Sequence, residues 1–465
     1  MNHDDLVTWS AKAAQWARDY HAGLRDRPVR PDIAPGDFLA RIDGPVPEAP
    51  DPIEDIFDDF TRLVPDAMTH WQHPRFFAYF PANAAPASML AEQLANAMAC
   101  QAMLWQTAPA ANEMEELVIR WLRDGMGLPG DFTGTIHDSA TTATFSAVTT
   151  MREVALGHEG VTKGLTGGPT LRIYASAQTH SSVDKAVRLC GIGQDNLVKV
   201  PTIPGHATWS MDPAALDALI RADLDAGRKP AGVVLCVGGT SIGACDLVGD
   251  CIKVAQSHGL TVHVDAAWAG SAMICEEFRP LWAGIEMADS IVFNPHKWLG
   301  AQFDCAVQFL RDPAPQIGAM GLRPAYLTTQ GAEEIINYNE WTLPLGRRFR
   351  ALKLWFLLRA EGLSGLRARI RNHVAWAHEA AEAIAALDGF TITTPPILSL
   401  FTLRYHDDAK TAALLERVNR DGRIYLTQTH HDGMFVIRVQ VGQFDCLRED
   451  VMMVPQVLSD LSHDL

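Results

Sequence analysis

SIVFNPHKWLG, residues 290–300, sets an apolar, β-branched run directly against Asn294, Pro295, His296, Lys297 and Trp298. An ammonium group at the end of a buried strand is expensive to desolvate. A Schiff base with an aldehyde removes that cost by consuming the amine. A lysine that reaches solvent from the strand end satisfies the same pattern. On either side lie runs of similar character: LRIYAS (171–176), NLVKVPT (196–202), GVVLCVG (232–238), LTVHVD (260–265) and AVQFL (306–310). They alternate with helical patterns, which predicts an α/β unit built on a largely parallel sheet. The runs are apolar on both faces, as a sheet covered on both sides requires.

Four further signals fall at the ends of these runs. In LTVHVDAAWAG (260–270), Asp265 ends a strand and is followed by Ala266 and Ala267. A carboxylate at the carboxyl end of a parallel strand stands where α/β sheets place ligands. Beside a pyridine nitrogen it would keep the ring protonated as an electron sink, which pyridoxal phosphate (PLP) requires. Capping of the next helix is the alternative. TIHDSATTATFSAV (135–148) places Ser139, Ala140, Thr141 and Thr142 ahead of a helical pattern, either a phosphate site at a helix N-terminus or an ordinary Ser/Thr cap. YASAQTHSSVDKA (174–186) carries His180 after a strand, to lie over an aromatic ring or to serve structure alone. VLCVGGTSIGACD (234–246) holds Gly238, Gly239 and Thr240, a turn that also projects a hydroxyl. All five signals belong to one α/β region.

The bulk properties set the frame. The chain has 465 residues, 48% hydrophobic and 20% charged, enough for two or three packed units with a large core. A net charge of -16 without a Lys/Arg cluster disfavours nucleic acid as a partner. Eight scattered cysteines with no Cys-x-x-Cys pair fit free thiols in a reducing compartment and point to no metal site. The acidic N-terminus lacks a signal pattern, and no apolar run approaches the roughly 18 residues of a membrane span; a cytoplasmic protein is expected. Residues 1–85 read as a helical and extended segment. Leu6, Trp9, Ala13, Trp16 and Tyr20 repeat at helical spacing, and a second helix is expected in IEDIFDDFTRLVPDAM (53–68). This segment is too thin for its own core and is expected to lie across another subunit or domain. Residues 86–352 form the large α/β domain. Residues 353–465, with strand candidates ILSLFTLRY (397–405), RIYLTQT (423–429) and MFVIRVQVG (434–442), form a smaller α+β domain.

Taken together, HPRFFAYFP (73–81), THSSVDKA (179–186), HVDAAWAGSA (263–272), ADSIVFNPHKWL (288–299), FDCAV (303–307) and PLGRRFRALKLWF (344–356) resemble the group II PLP-dependent amino-acid decarboxylases, within them the aromatic L-amino-acid decarboxylases. The resemblance covers nearly the whole chain. It implies an aspartate-aminotransferase-like fold (PLP-dependent transferase fold type I), an amino-acid substrate, and a homodimer with active sites at the subunit interface. Lys297 would hold the PLP aldehyde, and Asp265 would pair with the pyridine nitrogen. His180 and Ala267 would sandwich the ring, while Ala140, Thr141 and Asn294 would cradle the phosphate. Thr240 and His296 would line the site. In RPAYLTTQGAEEIINYNEW (323–341), Tyr326 stands where the family has the tyrosine that protonates Cα; with His180 it favours simple decarboxylation over aldehyde formation. The phosphate turn departs from the family in reading DSATTA, without the usual Glu. On the substrate side, Trp71, Tyr79 and Phe80 keep an aromatic lining. Ala82, Gln101 and Met103 depart from it, and Gly346 leaves room for a bulky ring. The expected reaction is decarboxylation of a tryptophan-, phenylalanine- or tyrosine-like amino acid to an arylalkylamine. The alternatives are an acidic or diamino-acid substrate, an aldehyde-forming reaction, and a catalytically silent scaffold.

Overall fold

A computed structural model describes residues 1–322 and 335–465. The chain divides into two compact units. The sheet unit comprises Ala82–Ala375 and Ile397–Leu400; the terminal unit comprises Met1–Pro81, Trp376–Pro396 and Phe401–Leu465.

The sheet unit is built on seven strands: β1 (Thr133–His137), β2 (Leu171–Ser176), β3 (Leu197–Val200), β4 (Lys229–Cys236), β5 (Thr261–Asp265), β6 (Ser290–Phe293) and β7 (Ala306–Leu310). They lie in the order β1-β7-β6-β5-β4-β2-β3. β2 to β6 are mutually parallel, and β7 runs antiparallel to both β6 and β1. β1 therefore runs the same way as the parallel set. The mainly parallel sheet agrees with fold type I. Each of the six expected runs is a strand; five are buried almost throughout, while the edge strand β3 is half buried, with Lys199 exposed. β1 was not expected, because TGTIH carries no apolar run. It is held instead by its ladder to β7, where Gly134 lies so close to the Gln308 carbonyl that a Cβ has no room. Helix Ala140–Ala155 covers one face; its Val148 and Met151 pack with Ile173, Ala175 and Val234.

The terminal unit has its own four-stranded sheet, in the order β10 (Thr427–His431), β11 (Met434–Gln440), β9 (Leu400–Tyr405) and β8 (Phe390–Ile397). β8 was not expected, and RIYLTQT is strand only from Thr427; Tyr425 before it makes a single bridge to Phe76. Phe77, Phe401, Leu403, Ile437, Val439 and Val454 belong to one core. The N-terminal helices His3–Ala22 and Ile53–Leu63 pair through Trp9 on Phe57 (5.3 Å) and Trp16 on Phe60 (5.0 Å). Arg25 and Arg75 both reach the buried Asp450, at 2.8 and 3.2 Å.

Candidate active site

Because β2, β4, β5 and β6 are parallel neighbours, their carboxyl ends share one edge, and helix Ala140–Ala155 starts there because it follows β1. Asp265 ends β5 with only 6% of its surface exposed. One carboxylate oxygen accepts the Ala267 N–H at 3.0 Å, and among the described residues no cation pairs with it. After β6, the Asn294 N–H reaches the Ala267 carbonyl (2.8 Å), and the Lys297 N–H closes on the Asn294 carbonyl (2.9 Å). Lys297 lies in a π-helical turn, Pro295–Leu299. Ala140, Ala143, Ala267 and Val292 form one small cluster, which seats the helix N-terminus beside the Asp265 turn.

Two histidines flank this arrangement, and both are neutral. His296 is buried and its Nδ1 accepts the Cys305 N–H at 2.8 Å. Burial first, and then the neighbouring Lys297, push its pKa down to about 3. His180 Nδ1 accepts the Ser182 N–H at 3.1 Å, so the neutral ring carries its proton on Nε2. Desolvation lowers its pKa, Asp265 opposes that shift, and Lys297 adds to it. His180, Asp265 and Lys297 therefore share one electrostatic environment.

At the helix N-terminus, Ser139 Oγ accepts the Thr142 N–H (3.2 Å), and Thr142 Oγ1 donates to Asp138 (2.5 Å). The N–H groups of Ala140 and Thr141 are left without a partner among the described residues, the usual state of unsatisfied first-turn donors.

Residues 35–406 match the profile described as the pyridoxal-dependent decarboxylase conserved domain. The chain is 37% identical to the aromatic-L-amino-acid decarboxylase of Sus scrofa over 95% of its length and 93% of the relative's. It is 33% identical to the phenylacetaldehyde synthase of Arabidopsis thaliana, covering 95% and 92%. The crystal structure of Oryza sativa TDC with PLP and tryptamine superposes with a TM-score of 0.96 at 33% identity, covering 99% and 98% of the two chains. The chain belongs to the pyridoxal-dependent decarboxylase family.

The residues of this decarboxylase fit the family's cofactor. Asp265, buried and without a paired cation among the described residues, suits a protonated pyridine nitrogen. The free donors of Ala140 and Thr141, at the positive end of a helix dipole, suit a phosphate. Buried Asn294 Oδ1 lacks a partner among the described residues, which leaves its amide available at the same edge. The DSATTA departure leaves this cradle intact, because Asp138 takes up the Thr142 hydroxyl and not the backbone donors. Gly238, at φ 84°, turns the chain after β4, and a Cβ on Gly239 would stand 2.8 Å from the Gln178 carbonyl. The loops carrying Thr240 and His180 thus touch.

The substrate-side residues separate between the units. In the sheet unit, Gln101 Oε1 accepts the Arg347 N–H at 2.7 Å, and Gln101 Nε2 lies 3.2 Å from where a Cβ on Gly346 would be. Gln101 and Gly346 are therefore neighbours. Met103 accepts the Asn339 N–H through its carbonyl, and Ala82 precedes Asn83. In the terminal unit, Trp71 packs on Phe76 (4.6 Å) and Tyr79 (6.0 Å). Phe80 faces the Arg438 guanidinium at 5.0 Å. Tyr326 lies outside the described residues.

Three structural features escaped the sequence reading. Asn83 donates to the Lys297 carbonyl (2.6 Å) and its N–H reaches the His296 carbonyl (2.9 Å), so it pins the lysine turn. Arg347 and Glu115, both buried, pair at 2.6 Å behind Gln101. Arg438 is 3% exposed and donates to the Tyr79 carbonyl (2.8 Å). Its Nε and Nη2 have no partner among the described residues. An arginine within the apolar run MFVIRVQV was the available signal.

Proposed function

We propose that this decarboxylase converts an aromatic L-amino acid to its arylalkylamine and CO2. The observation that carries the reading is the terminal unit's cluster of Trp71, Tyr79 and Phe80 beside Arg438, a buried guanidinium with no acid among the described residues. Aromatic faces next to an uncompensated cation suit an aromatic ring and a carboxylate in one ligand. The tryptamine held by rice TDC, an arylalkylamine, supports the same class.

When bound, PLP supplies an electron sink for the pair released as the Cα–carboxylate bond breaks. In this reading Lys297 holds the cofactor aldehyde, and Asp265 keeps the ring nitrogen protonated. Ala140, Thr141 and Asn294 hold the phosphate. Ala267 and His180 bracket the ring, and His180 offers its Nε2–H to the substrate. Thr240 and the neutral His296 line the site. Tyr326 delivers a proton to Cα, and Ala82, Gln101, Met103 and Gly346 bound the side-chain space. The reading includes a homodimer. Leu90, Leu94 and Met98, four residues apart and exposed on one face of helix Pro86–Met98, support it.

The PLP-loaded protein should be incubated separately with tryptophan, phenylalanine, tyrosine, glutamate and 2,4-diaminobutyrate, with CO2, amine, aldehyde and peroxide measured. Amine and CO2 in equal amounts from an aromatic substrate are expected, and neither from Lys297→Ala. Turnover of glutamate or diaminobutyrate alone overturns the substrate assignment. Aldehyde with peroxide overturns the reaction assignment.

A further inference from the structure

A buried tryptophan pair with a histidine bonded to its edge ties the lysine turn to the Asp265 turn, and none of the three takes part in the chemistry above. Trp268, three residues past Asp265, lies 5.1 Å from Trp298, the residue after Lys297, with the planes at 22°. His373, on the helical segment that follows the kink at Gly362, lies edge to edge with Trp298, near-coplanar at 10° with centroids 6.4 Å apart. Its Nδ1 accepts the Trp298 indole N–H at 2.9 Å. All three side chains are sealed from solvent. Gly238 packs on the same pile, where a Cβ would stand 3.0 Å from the Trp268 ring. Three segments that carry proposed cofactor residues thus converge on one stack.

The chemistry of the stack is directional. A buried indole N–H usually finds an acceptor, and for Trp298 that acceptor stands on a helix rather than on a loop. Burial holds His373 neutral, its pKa pushed down to about 3 with Arg369 adding to the shift. With Nδ1 accepting, the ring is a single tautomer. The hydrogen bond therefore fixes the rotation of Trp298, and Trp298 shares a one-turn π-helix with Lys297. Displacing a reacting group by about 1 Å costs on the order of 10²-fold in rate, so the orientation of this turn bears directly on turnover.

We propose that His373 is a positioning residue: through Trp298 and Trp268 it holds the Lys297 turn in register with Asp265. The proposal rests on the assignment of Lys297 and Asp265 to the cofactor. His373→Leu removes the acceptor, while His373→Asn returns an oxygen near the Nδ1 position. In the cofactor-free protein, His373→Leu should lose the exciton circular-dichroism signal of the stacked indoles, and His373→Asn should keep it. In the loaded enzyme, His373→Leu should lower kcat by about 10- to 100-fold with KM within about twofold of the parent, and His373→Asn should recover most of that loss. Unchanged kcat and dichroism in His373→Leu overturn the proposal, as does equal impairment of the two variants, which would make the ring mere filling. Should His373→Leu not fold, Trp298→Phe keeps an aromatic ring against Trp268 and removes the N–H together with the rest of the pyrrole ring; wild-type kcat in that variant overturns the proposal. If even the parent takes up no PLP, the active-site assignment fails, while the dichroism still decides whether His373 orders the tryptophan pair.

Discussion

Arg438→Met separates binding from stability. Arg438 is almost wholly buried, and among the described residues no acid pairs with it. Burial lowers its pKa from 12.5 to about 10, a cost to the charged form of about 3 kcal/mol at 1.36 kcal/mol per unit. Methionine of similar length removes that cost. The lost hydrogen bond to the Tyr79 carbonyl returns about 1–2 kcal/mol of it, so the ligand-free variant should be about 1–2 kcal/mol more stable. For a unit of this size that raises Tm by about 2–5 °C. Turnover should move the opposite way, because deleting one partner of a buried, hydrogen-bonded charge pair costs about 2–5 kcal/mol, roughly a 30- to 5,000-fold loss in kcat/KM. Calorimetry of the cofactor-free protein and steady-state decarboxylation of the loaded enzyme read the two effects separately. A lower Tm together with parental kcat/KM would show that Arg438 serves the fold and not the substrate, and the carboxylate assignment would be withdrawn.

Glu115→Gln should destabilise the fold by about 3–5 kcal/mol by leaving the buried Arg347 uncompensated, a fall in Tm of about 6–10 °C; a shift under 2 °C would remove the pair's structural role. Acid should unfold the protein early. Burial depresses His73, His137 and His263 to about 4 and His296 and His373 to about 3. Below pH 6.5 the unfolded chain takes up protons that the folded chain refuses, so stability present at neutral pH is lost as pH falls from 6.5 toward 4. Each imidazole contributes up to about 1.4 kcal/mol per pH unit. Asp246, raised to about 6 by burial, runs the other way, one group against five. Urea midpoints that stay flat from pH 6.5 to 4.5 would refute this.

The chemistry-bearing positions were legible because each is local. An apolar run that stops at Asp265, or just before Asn294 and Lys297, writes its strand and its strand end into consecutive residues. Once the strands are taken as parallel, those ends must share an edge. β1 and β8 were not legible, since their pairing rests on partners far along the chain and not on their own apolar content. The same holds for the N-terminal segment. Its two longer helices were plain from spacing, but helix Asp37–Ile42, in a stretch dense in Pro and Gly, was not, and Val29, Phe76 and Ala78 find their core with Tyr425, more than 340 residues later. Sequence could name Gln101 and Gly346 separately, yet only folding brought them into contact and spent the Gln101 carbonyl on Arg347. Asn83 on the Lys297 carbonyl and His373 on Trp298 likewise join residues that share no local pattern. What the sequence by itself determined was the strand ends and which candidate groups stand at them, because hydrophobic periodicity and turn chemistry act over a few residues. Only the tertiary structure decided which side chains hold those groups in place, because a hydrogen bond or a stacked ring depends on distance in space, and separation along the chain does not specify it.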